Sequence, residues 1–98
     1  MKLAILGGSF NPLHLGHLFL AEAVLSAFDY DRIILIPAFQ SPFKQGFPGM
    51  GGNSRDRLDM IAASIAGDPR LTFDDCEIKR EGVSYTIDTV RDIIARYL

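Results

Sequence analysis

The sequence predicts an α/β fold, a Rossmann-like parallel sheet in βαβαβα order with helices on both faces. Two runs of strand length, Lys2-Leu3-Ala4-Ile5-Leu6 and Arg32-Ile33-Ile34-Leu35-Ile36-Pro37, are apolar without the alternation of a one-sided sheet, which fits strands buried on both faces. Between them Leu18, Ala21, Val24, Leu25 and Phe28 recur at helical spacing. A strand, a helix and a second apolar strand with short links form a βαβ unit, whose crossover is right-handed.

The first strand ends at Gly7 and Gly8, and the chain enters its helix through Gly7-Gly8-Ser9-Phe10-Asn11-Pro12-Leu13-His14-Leu15-Gly16-His17. Glycines let the backbone turn sharply and let an anion approach its N–H groups. The first turn of the following helix adds unpaired N–H groups and the positive end of its dipole, and Gly16 removes bulk at its mouth. His14 and His17 are three residues apart, so a helix begun by Leu13 projects both from one face. Imidazole donors there suit charge stabilisation in an in-line phosphoryl transfer; a phosphate nucleophile, with a second pKa of about 6, needs no general base. Zinc ligation wants three or four ligands, and Cys76 is the one other soft candidate. Neither Gly-x-Gly-x-x-Gly nor the P-loop pattern is present. A glycine turn followed by a helix with two surface histidines is the plain alternative.

The first helix is expected to end near Phe28-Asp29-Tyr30-Asp31. After the second strand, residues 38–53 carry no helical or strand period, and Lys44 is their only charge. Asn53 or Ser54 is a candidate cap for a second helix with Leu58, Ile61, Ala62 and Ile65 as its apolar stripe. The mixed charges Arg55, Asp56, Arg57 and Asp59 read as a solvated face rather than an anion site. Leu71-Thr72-Phe73 begins a third strand, continuing irregularly towards Ile78, and Lys79-Arg80-Glu81-Gly82 reads as a polar turn. Ser84 or Thr86 then starts a last helix whose stripe is Ile87, Val90, Ile94 and Tyr97.

Composition narrows the function classes. Ninety-eight residues, 48% hydrophobic, make at most one domain, 1–98, and the net charge of −2 supplies no basic field for a nucleic acid polymer. A single cysteine allows no internal disulfide, and Cys76 reads as a small buried hydrophobe in a reducing cytoplasm. Four apolar residues before Gly7 are too few for a signal peptide, and no run reaches membrane-spanning length.

Gly7-Gly8-Ser9-Phe10-Asn11-Pro12-x-His14-x-Gly16-His17 resembles the signature of the His-x-Gly-His nucleotidyltransferases, and its opening is similar to that of bacterial nicotinate-nucleotide adenylyltransferases. The resemblance implies attack by the 5′-phosphate of nicotinate mononucleotide on the α-phosphorus of ATP, giving deamido-NAD and pyrophosphate in NAD biosynthesis. His14 and His17 inherit the catalytic role, with Gly7, Gly8, Ser9, Phe10 and Gly16 binding ATP. Mg²⁺ comes with the ATP, since the motif offers no carboxylate cage.

Ser41-Pro42-Phe43-Lys44 is similar to the family's Pro-Pro-His-Lys segment. Ser41 and Phe43 depart from it, leaving Lys44 as the phosphate contact. Arg57 and Met60 match an Arg-x-x-Met pattern. Ser84-Tyr85-Thr86-x-Asp88-Thr89 matches the segment that receives the nicotinate end, so Ser84, Tyr85 and Thr86 are expected to bind the mononucleotide.

The family runs to about twice this length. Its strand order, 3-2-1-4-5, would leave the first strand of an N-terminal half at an open edge, which invites self-association. Two alternatives stand beside the main reading: another member of the superfamily, such as one acting on phosphopantetheine, and a catalytically incompetent nucleotide-binding fragment.

Overall fold

The structure, a computed structural model, describes residues 2–10, 15–39 and 54–98. Three parallel strands, β1 (Leu3–Gly8), β2 (Arg32–Pro37) and β3 (Leu71–Phe73), alternate with helices α1 (Leu15–Ala27), α2 (Ser54–Ile65), α3 (Cys76–Arg80) and α4 (Thr86–Tyr97). The sheet order is β1-β2-β3, so β2 is central and β1 an edge. Ile33 to Ile36 are each at most 1% exposed, as the unbroken apolar run requires. The register sets Leu3 beside Arg32 and Gly8 beside Pro37, and Ile33 beside Leu71, bringing the carboxyl ends of β1 and β2 level.

The two faces of the sheet build two cores. Ile33 and Leu35, with Ala4, Leu6, Leu71 and Phe73, pack against Ala21 of α1 and Ile61 and Ile65 of α2, and Phe10 joins them. Ile34 and Ile36 face the other way, against Cys76 and Ile93, with Leu3 alongside.

Three expectations need correction here. The chain after Phe73 does not continue as an irregular strand: Asp74 turns it, accepting from the Cys76 N–H at 3.0 Å while donating its own N–H to the Leu35 carbonyl at 2.9 Å, and α3 begins. The order is therefore βαβαβαα, and the turn starts only at Glu81 and Gly82, both with positive φ. The cap of α4 is Tyr85, with no side-chain capping bond, rather than Ser84 or Thr86.

The α4 stripe is also only partly covered. Thr89 and Ile93 are buried, whereas Ile87 and Ile94 are more than half exposed. Ile5, in register with Ile34, is 39% exposed on the same side of the sheet. Beyond β1 no further strand of the described residues widens that face. Among the described residues no helix is long and apolar enough to cross a membrane.

A buried carboxylate locks α4 to the sheet. Asp74 also accepts from Arg96 Nη2 at 2.6 Å and from the Tyr97 hydroxyl at 2.9 Å, so its desolvation is met by three donors. Beside it, burial pushes the Cys76 thiol above its ordinary value, and the Asp74 charge adds to the shift. The neutral thiol is thereby favoured in the fold, a contribution present at neutral pH and lost as pH rises through the folded value. We expect alkylation of Cys76 at pH 8 to run at least ~100-fold slower in the folded chain than in urea; equal rates would place the thiol at the surface.

Candidate functional site

The carboxyl ends of parallel strands, where ligands of open α/β sheets collect, converge here on the turn after β1. Gly8 closes β1, and the chain then enters the left-handed region at Phe10, with φ 47°. A non-glycine residue there is uncommon and strained, and such residues concentrate at binding sites. The strain is held by packing: Phe10 is 1% exposed and sits within the core between sheet and helices. Its ring lies so close to Gly8 that a Cβ added there would meet Phe10 Cε1 at 3.2 Å. Glycine at position 8 is therefore a matter of space, while a Cβ at Gly7 meets nothing within 4 Å.

His17, in the first turn of α1, places its ring edge-on to Phe10 with centroids 4.9 Å apart and planes at 78°. The imidazole is half-buried. An aromatic pair of this kind contributes about 0.5–1.5 kcal/mol and fixes the ring beside the start of the helix. The strand end, the strained turn, the first helical turn and one imidazole thus occupy one corner, where backbone N–H groups and the helix dipole favour an anion. Ser9 and Gly16 are exposed at this corner. His14 and Lys44 lie outside the described residues.

Ser84, Tyr85 and Thr86 belong to the α3–α4 corner. The Ser84 hydroxyl accepts from Arg80 Nη1 at 2.9 Å, and Arg80 also pairs with Asp92, while Thr89 donates to Glu77 at 2.7 Å. The side chains of Tyr85 and Thr86 are exposed. At its other end α4 is tied to Asp74 through Arg96 and Tyr97.

One residue departs most from its sequence reading. The mixed charges place Arg57 on a solvated face with Arg55 and Asp59; those two do form an exposed i,i+4 pair at 3.4 Å, but Arg57 is 1% exposed. Its Nη2 donates to the Ala38 carbonyl, just past the end of β2. The signal was available: Arg57 stands four and eight residues before Ile61 and Ile65, on the buried face of α2.

Comparison with known proteins adds the kinship. The cytidylyltransferase-like family model matches residues 5–97. A Treponema pallidum protein named probable nicotinate-nucleotide adenylyltransferase is 43% identical over 97 residues, covering 99% of this chain and 47% of that protein. One of the same name from Synechococcus sp. (strain JA-2-3B'a(2-13)) is 45% identical over 93 residues, covering 95% of this chain and 45% of the relative. A crystal structure from Vibrio parahaemolyticus, assigned as a nicotinate-nucleotide adenylyltransferase, superposes with a TM-score of 0.68 at 25% identity, covering 99% of this chain and 55% of that one. The chain spans about half the length of the curated relatives it matches. With the match running through β1, the strained turn and all four helices, this chain belongs to the cytidylyltransferase-like family.

Proposed function

We propose that the chain takes part in adenylyl transfer from ATP to nicotinate mononucleotide, giving deamido-NAD and pyrophosphate. The observation that carries this reading is the corner where Gly8, the left-handed Phe10 and the first-turn His17 meet at the carboxyl end of β1. It is supported by the names of relatives 43–45% identical over nearly the whole chain.

In this reaction a 5′-phosphate oxygen of the acceptor forms a bond to the α-phosphorus of ATP. The bond from that phosphorus to the α–β bridging oxygen breaks, and pyrophosphate leaves with the electron pair. The acceptor phosphate is already anionic at neutral pH, so the site's task is to align two anions and stabilise charge on the non-bridging oxygens. His17, with His14 from the same motif, donates imidazole N–H groups to the transferred and leaving phosphates. Backbone N–H groups of Gly7, Gly8, Ser9 and Phe10 and the N-terminus of α1 bind the ATP phosphates, with Gly16 leaving room for them. Lys44 adds a point charge, and Ser84, Tyr85 and Thr86 select the mononucleotide. Mg²⁺ enters as part of the ATP substrate. The setting for this chemistry is the cytoplasm, where both nucleotides are available.

A second reading, nucleotide binding without turnover, is favoured by the edge position of β1, where Ile5 is 39% exposed. The open edge of β1 would then receive another strand, from a second copy or from a longer polypeptide. Pyrophosphate release separates the readings. With ATP present, release is expected with nicotinate mononucleotide and not with 4′-phosphopantetheine. Binding of ATP with no release for either acceptor supports the second reading, and no binding of ATP rejects both.

A further inference from the structure

Arg57 is a cation withdrawn from water with no anion to answer it. The chain has 12 carboxylate side chains, and all of them fall among the described residues, since neither 11–14 nor 40–53 contains an Asp or Glu. The ion pairs of the described residues engage Glu22, Asp29, Asp59, Asp68, Asp74, Asp75 and Asp92 with other cations, and none involves Arg57. Burial lowers its affinity for the proton. Its Nε is buried without an acceptor. A buried unpaired charge costs stability, and an apolar side chain of similar volume would cost less. Packing of α2 therefore gives no reason for arginine at this position.

The hydrogen bonds that radiate from it give one. The guanidinium donates to the Ala38 carbonyl. The Ala38 N–H in turn donates to the Gly8 carbonyl at 2.9 Å. Gly8 is the last residue of β1, and two residues later the chain enters the strained turn at Phe10. The one residue just past β2 is thus gripped on both sides, its carbonyl by α2 and its N–H by the strand that launches the phosphate-binding turn. β1 is an edge strand, so this grip from the β2 side fixes the height and tilt of the Gly8 carbonyl.

We propose that Arg57 is a positioning residue for the phosphate-binding turn, acting through Ala38 and Gly8, and that its uncompensated charge is answered by the phosphates bound there. The second clause rests on the adenylyl-transfer reading; the first rests on hydrogen bonds alone. Arginine suits the task because its planar fork holds a carbonyl in a fixed direction, while its delocalised charge tolerates partial dehydration better than an ammonium.

The test uses the 98-residue chain as wild type, Arg57→Met and Arg57→Lys, with two readouts. One is hydrogen exchange of the Ala38 amide against the amides of Ile34 and Leu35 in the middle of β2. The other is affinity for Mg²⁺–ATP and for inorganic tripolyphosphate. In Arg57→Met, Ala38 is expected to exchange at least tenfold faster while Ile34 and Leu35 keep their protection, and both anions to bind at least tenfold more weakly. A general loosening would accelerate all three amides together and would overturn the assignment. So would unchanged exchange at Ala38, or binding within twofold of wild type by a folded variant. Arg57→Lys, expected to fall between wild type and Arg57→Met in both readouts, decides the matter by the same limits if the methionine variant does not fold. Failure of the wild type to bind either anion would count against the adenylyl-transfer reading and the charge clause, leaving the positioning clause to stand or fall on Ala38 exchange.

Discussion

Replacing His17 by alanine is expected to slow pyrophosphate release roughly 100- to 1,000-fold, the loss typical of removing one donor to a developing anionic charge, while barely changing stability. The two effects separate because the imidazole is half-buried and meets Phe10 edge-on at 4.9 Å rather than being enclosed in the core. Losing that edge-on contact costs about 0.5–1.5 kcal/mol, against roughly 3–4 kcal/mol of transition-state stabilisation. A urea titration with a continuous pyrophosphate assay checks both quantities on one sample. Turnover within threefold of wild type would remove His17 from the chemistry, and a large fall in the unfolding midpoint would recast it as a core residue.

Ile34→Ala should give the larger change in stability, about 2–5 kcal/mol. Ile34 is 0% exposed at the centre of the middle strand, packed with Ile36, Cys76 and Ile93. Domains of this size have only about 5–15 kcal/mol in total, so the variant stands near the limit of folding. The urea midpoint is expected to drop by roughly 1–3 M if the slope is unchanged. A shift too small to measure would mean that the α4 face relaxes into the space, which the exposed Ile87 and Ile94 make the outcome to look for. The paired substitution Ile94→Ala, on the exposed side of the same helix, is the control and should move the midpoint little.

The sheet was legible in the sequence because its middle strand is apolar at every position from Ile33 to Ile36, a pattern few other elements share. The passage from β1 to α1 was legible for a different reason, since glycines and a switch from strand to helical period mark a strand-to-helix connection. What escaped was governed by partners distant in sequence. Arg57 reads as a surface charge when judged by its neighbours and as a buried one when judged by Ile61 and Ile65 on its own helical face. The Asp74 side chain looks like a turn former, and only the fold brings it the Arg96 and Tyr97 donors that make it an anchor. The α4 stripe at Ile87 and Ile94 was predicted as buried because period alone does not say how wide a sheet is waiting for it.

Phe10 belongs to two systems at once, the hydrocarbon interior that clasps α1 and α2 to the sheet and the corner with His17 that we propose receives an anion. Occupancy and folding cooperativity are consequently coupled: a ligand that steadies the rim protects the whole molecule against heat. By the same coupling, a shaved methyl deep beneath α2 is expected to weaken binding of the proposed anion without ever touching it.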